Sequence, residues 1–163
     1  LPGGKFSHAL DINNFGQVIG YSETQTGGFK SHAVIWDDGD IVDLGTLGGN
    51  ISHAFAINDY GQAVGDSYTT EQGNPHAFLW HHSQMIDLNS LLDPSTINAG
   101  WVLQSAVDIN NNGQIIGVAY NDNNHQVTQF LLTPATLPIP EPHTYGMLLA
   151  GLGLIGFRSL RKR

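Results

Sequence analysis

Ser7-His8-Ala9-Leu10-Asp11-Ile12-Asn13-Asn14-Phe15-Gly16-Gln17-Val18-Ile19-Gly20 returns as Ser52-His53-Ala54-Phe55-Ala56-Ile57-Asn58-Asp59-Tyr60-Gly61-Gln62-Ala63-Val64-Gly65. A third copy runs Ser105-Ala106-Val107-Asp108-Ile109-Asn110-Asn111-Asn112-Gly113-Gln114-Ile115-Ile116-Gly117. Gly16, Gly61 and Gly113 are spaced by 45 and 52 residues, so the chain is an array of one repeated unit. A second phrase follows each copy: His32-Ala33-Val34-Ile35-Trp36, His76-Ala77-Phe78-Leu79-Trp80 and the degenerate Thr128-Gln129-Phe130-Leu131-Leu132. A third phrase, Asp43-Leu44-Gly45 and Asp87-Leu88-Asn89, closes the first two units. The extra length before the third copy falls in Ser90 to Gly100, a connecting loop.

Each unit reads as four short strands, in the first unit His8–Ile12, Gln17–Ser22, His32–Trp36 and Ile41–Leu44. The Asn-Asn-Phe-Gly turn and its counterparts suit tight hairpins, because Asn and Gly tolerate positive φ. Asp37-Asp38-Gly39-Asp40 is a second hairpin signal. No helical period of apolar residues appears before His143. The fold class is therefore all-β: three repeated antiparallel units of four strands, the third one strand short because Pro134 interrupts it. Both faces of the strands are apolar or small, which predicts sheets covered on both sides. Four-stranded units of this length stack face to face in propellers, with Trp36 and Trp80 between blades. Three units make only an incomplete arc, and a β-solenoid or a pair of open sheets is the competing architecture. The blades run about 7–51, 52–104 and 105–133 within a repeat domain of residues 1–133. A Pro-rich linker (134–142) and an apolar C-terminal helix or tail (143–163) follow.

These phrases resemble those of the HAF repeat family of exported bacterial proteins. The resemblance rests on His76-Ala77-Phe78-Leu79-Trp80, Asp43-Leu44-Gly45-Thr46-Leu47-Gly48-Gly49 and the Ile-Asn-x-x-Gly-Gln phrase, and covers Leu1 to about Leu132. Leu1-Pro2-Gly3-Gly4 is similar to the tail of a preceding Leu-Gly-x-Leu-Pro-Gly-Gly phrase. The chain begins without Met or a secretory leader, as a fragment or a mature form would. The resemblance implies export and no shared catalytic residues.

Composition bounds the function. Of 163 residues 12% are charged and 40% hydrophobic, so a packed core is within reach. Cysteine is absent, which removes disulfides, thiolate metal sites and Cys nucleophiles. Four of the six bases (Arg158, Arg161, Lys162, Arg163) occupy the last six positions. The rest of the chain sets Lys5 and Lys30 against all 14 acids, a net of −12. A body that acidic excludes nucleic acid as a partner and fits poorly with an anionic membrane surface.

The tail has its own logic. Tyr145 to Phe157 is apolar and rich in small residues, shorter than the roughly 20 residues that comfortably span a bilayer. Its basic end (Arg158, Arg161, Lys162, Arg163) anchors it on the cytoplasmic side and leaves the body outside. Pro140-Glu141-Pro142, the apolar segment and the basic end, in that order, closely resemble the PEP-CTERM sorting signal. That resemblance implies an exosortase-type membrane protease as partner, with cutting near Pro140-Glu141-Pro142. It also implies transient residence in the inner membrane of a Gram-negative bacterium, then the cell surface or an exopolysaccharide matrix.

Site chemistry elsewhere reads as scaffold. His8 and His53 share one repeat position and His32 and His76 another, so bonds between strands explain them without a metal. His81 and His82 fall in a hairpin turn, where neighbours on a strand point to opposite faces. Asp108-x-Asn110-x-Asn112-Gly113 matches half of a calcium loop, with Asp11-x-Asn13 a weaker echo, but Ala119 stands where Glu is required. An Asx-type hairpin turn is the preferred reading. No nucleophile motif is present, and Asn50-Ile51-Ser52 is a chance sequon. The expectation is a non-enzymatic exported repeat protein with no cofactor and no metal. One alternative is a carbohydrate- or ligand-binding propeller using Trp101, Tyr68 and Tyr120 on loops; another is a secreted polysaccharide lyase or hydrolase.

Overall fold

The computed structural model describes residues 1–24, 30–71 and 73–134, and the linker and tail lie outside them apart from Pro134. Eleven strands form three separate antiparallel sheets. The first holds β1 (Ser7–Ile12), β2 (Val18–Glu23), β3 (Ser31–Asp37) and β4 (Asp40–Gly45), in chain order. The second repeats it with β5 (Ser52–Ile57), β6 (Ala63–Tyr68), β7 (Pro75–His81) and β8 (Gln84–Asp87). The third has β9 (Trp101–Ile109), β10 (Ile115–Asn121) and β11 (Val127–Leu132). In the first unit each strand lies within one residue of its sequence-based bounds. The loop before β9 carries a 3-10 turn (Leu88–Leu91) and a one-turn helix, α1 (Pro94–Asn98). Asp93 caps α1, and hydrogen bonds from the Ser95 and Thr96 side chains hold its carboxyl down at about 2.

Stacking follows the repeat. β5 packs across β1, β2 and β3, and β9 packs across β5, β6 and β7. Alternation sends Ala33 and Ile35 toward the second sheet, where they meet Phe78, Ala54 and Ile57. Ala77 and Leu79, in the same phase as Ala33 and Ile35, meet Phe130 and Leu103 of the third sheet. Trp80 packs on the first of these cores. Trp36, in the phase of Trp80, is on the far face of the first sheet.

The expected cover on both sides is fullest in the middle sheet and extends to β3 of the first, where Ala33, Val34 and Ile35 are all buried. β5 is largely buried, whereas five of the six residues of β1 are exposed. Leu10, Ile12 and Phe15 are 48%, 62% and 73% exposed, because among the described residues only the middle sheet has a sheet packed on each side.

A β-bulge recurs in the first strand of each unit, at Leu10, Phe55 and Val107, and was not legible in the sequence. Opposite it stand Gly20, Gly65 and Gly117. A Cβ there would come within 1.8 Å of the His8 and His53 carbonyl oxygens and 2.1 Å of that of Ser105. The glycine that ends the repeated phrase is thus a close-approach residue.

Candidate functional site

Most of the repeated polar residues are spent on the scaffold. Asn13, Asn58 and Asn110 each accept two backbone amides of their own turn through Oδ1. Asn13 and Asn58 also donate to the carbonyl of the next asparagine, at 3.1 Å in both cases. Positive φ falls on the glycines of these turns, Gly16, Gly61 and Gly113, and not on the asparagines. Asp108 accepts the amide of Ile109, and Asp11 accepts those of Ile12 and Ile57, covering for Ala56. The Asp-x-Asn echo of a calcium loop is therefore a bulge cap followed by an Asx turn. Among the described residues no three His, Asp or Glu side chains are grouped to hold a metal.

Two histidines tie the third strand to the fourth. His32 Nδ1 lies 2.9 Å from Asp43, and His76 Nδ1 lies 2.7 Å from Asp87. The second and third phrases of the repeat are thus joined by one bond, and the third unit lacks both partners. The bond to Asp87 raises the His76 pKa, against an opposing effect of burial. Burial pushes Asp87 up, but hydrogen bonds from His76 and Asn89 together hold it below its ordinary value. His81 and His82 depart from the expected opposite faces: their rings stack at 3.7 Å. His82 sits at φ 50° in the turn, where strand alternation no longer applies. Burial, then the neighbouring His82, lowers the His81 pKa.

The junction of the first two sheets holds a different arrangement. An open cleft of about 350 Å³ around Ser31 and His53 has Phe6, Tyr21, Ile51 and Tyr68 as its apolar and aromatic wall, with His8, Glu23 and Lys30 also lining it. Ser31 Oγ lies 3.2 Å from His53 Nε2. On the other side of the ring, His53 Nδ1 lies 3.1 Å from Asp66 Oδ1. Tyr21 packs edge-on against the His53 ring at 4.5 Å and His8 stacks on Tyr21. His53 and Asp66 are 26% and 17% exposed, so the ring is held but reachable.

The aromatic residues expected on loops are elsewhere. Tyr68 ends β6 at this cleft, whereas Trp101 and Tyr120 belong to the third sheet. Strand pairing extended further than the turn signals suggested, so all three lie on strands, Trp101 and Tyr120 on the paired β9 and β10. Pro140, Glu141, Pro142, Arg158, Arg161, Lys162 and Arg163 lie outside the described residues. Among the described residues no helix is long and apolar enough to cross a membrane.

Sequence comparison places the tail where its geometry is not described. Residues 138–163 match the PEP-CTERM protein-sorting motif. A PEP-CTERM motif is recognised by exosortase, a membrane protease, and implies export with transient anchoring in the inner membrane. No curated protein and no solved structure matches the chain.

Proposed function

We propose that this chain is an exported repeat protein, delivered to the cell surface or an exopolysaccharide matrix after exosortase removes its tail. The PEP-CTERM motif at residues 138–163 carries the reading. Arg158, Arg161, Lys162 and Arg163 hold the end in the cytoplasm while the acidic body sits outside. Pro140-Glu141-Pro142 directly precedes the apolar stretch in the chain, where a membrane-embedded protease would act. The body serves as scaffold, an arc of propeller-like blades of the HAF repeat type. The recurring bulge, the asparagine ladder and the His–Asp ties support this, since each recurs in the same phase of successive units. The role of the body on this reading is non-enzymatic.

C-terminal mass spectrometry of surface or matrix material from the native host tests the sorting step. The mature chain is expected to end near Glu141, and replacing Glu141 or its flanking prolines is expected to hold the precursor in the inner membrane. Matrix material ending at Arg163 would make the tail a plain anchor.

A further inference from the structure

We infer that Ser31, His53 and Asp66 form a hydrolytic centre acting on small carboxylic esters. This centre departs from the expected non-enzymatic role, is independent of the sorting step, and lies in the cleft between the first two sheets. Its basis is the relay of hydroxyl, imidazole and carboxylate: Ser31 Oγ to His53 Nε2 at 3.2 Å, then His53 Nδ1 to Asp66 Oδ1 at 3.1 Å. Such a constellation is recognised by geometry and roles, whatever the order in the chain.

The repeat itself separates this site from scaffold. His53 faces Asp66 across the β5–β6 pair, but His8 faces Tyr21 and Ser105 faces Val118 in the same phase. Ser31 pairs with Glu23, while Pro75 and Val127 occupy its phase in the other units. Neither the hydroxyl nor the carboxylate is required by the blade. The His–Asp ties at His32 and His76 recur between third and fourth strands, whereas this one joins β5 to β6 and reaches back to β3.

The cleft sets the substrate class. Phe6, Tyr21, Ile51 and Tyr68 offer an apolar and aromatic wall suited to a short acyl group and its alcohol. In the reaction, Ser31 Oγ bonds to the ester carbonyl carbon while its proton passes to His53 Nε2. Asp66, accepting from Nδ1–H, is the positioning residue that fixes the tautomer. The donors available to the oxyanion among the side chains lining the cleft are Tyr21, Tyr68 and Lys30, beside the Glu23 carboxylate. The carbon–oxygen bond to the alcohol then breaks, and the alcohol leaves with the proton from His53. Water attacks the acyl group, gives its proton to His53, and releases the carboxylic acid as that proton returns to Ser31 Oγ.

The test uses the full chain with two probes. A fluorophosphonate is expected to label one serine, Ser31, and p-nitrophenyl acetate to be turned over. Ser31→Ala should abolish both, and His53→Gln should slow labelling about a hundredfold or more. Because the chain has no cysteine, Ser31→Cys introduces its only thiol. That thiol should react with iodoacetamide at least about tenfold faster than the thiol of Ser90→Cys, an exposed control, and lose the advantage with His53→Gln. Labelling at another serine, turnover surviving in Ser31→Ala, or equal thiol rates in folded protein would overturn the assignment.

Discussion

Asn13 donates a side-chain N–H to the Asn58 carbonyl at 3.1 Å, and Asn58 makes the same bond to Asn110. The ladder is graded by depth: Asn58 is 3% exposed and Asn13 8%, while Asn110 is exposed. The same three side chains close their own turns, so each removal costs bonds within a unit and, for the first two, between units.

Asn58→Ala removes a side chain that is 3% exposed, and with it the acceptor of the Tyr60 and Gln62 amides and the donor to the Asn110 carbonyl. A loss on the order of 3 kcal/mol is expected, against about 1 kcal/mol for Asn110→Ala, whose amides water can reach. Urea denaturation midpoints check the ranking. Equal losses would mean that the bond between sheets adds nothing beyond the turn.

Gly65 and Gly16 separate two reasons for glycine. A Cβ on Gly65 would lie 1.8 Å from the His53 carbonyl oxygen, so Gly65→Ala has to push β5 and β6 apart. A cost of about 3 kcal/mol or more is expected. At Gly16 the space is open but φ is +81°, so Gly16→Ala should cost only about 1–2 kcal/mol. Reversal of that order in thermal melts would remove the close-approach role.

The tie between His76 and Asp87 gives a pH window. The His76 pKa is raised from 6.5, so its contribution is complete below that value and is lost as pH rises through the raised one. The Asp87 pKa is lowered from 3.8, so its contribution is complete above that value and is lost as pH falls through the lowered one. Stability from the pair is therefore greatest between 3.8 and 6.5. His76→Gln should flatten the decline in melting temperature between roughly pH 6 and pH 9. An unchanged decline in that variant would place the titrating group elsewhere.

The repeat made most of the architecture legible before any coordinates. Strand bounds, hairpin turns and the missing strand of the third unit follow from local rules: β-branched and aromatic runs separated by Asn-Gly and Asp-Gly signals. The sorting motif was legible for a related reason, since a motif of residues contiguous in the chain needs no fold to bring them together. The bulge was hidden, because an extra residue in one strand shows only against the register of its partner. The repeated His32 and His76 do bond between strands as the repeat suggested, but their carboxylate partners stayed hidden, since these lie eleven residues on and meet them only once β3–β4 and β7–β8 are paired.

Ser31, His53 and Asp66 mark the limit of that reading. Periodicity reports what every unit needs in the same place, and two of these three residues occupy positions that the other units fill differently. They belong to β3, β5 and β6, in two sheets, and no motif spacing connects them. Stacking brings β5 across β3 and sets the His53 ring between a hydroxyl and a carboxylate. Sequence alone determined the units, through short-range backbone preferences. Tertiary structure decided which side chains face one another across the gap between units, because that depends on how two sheets pack.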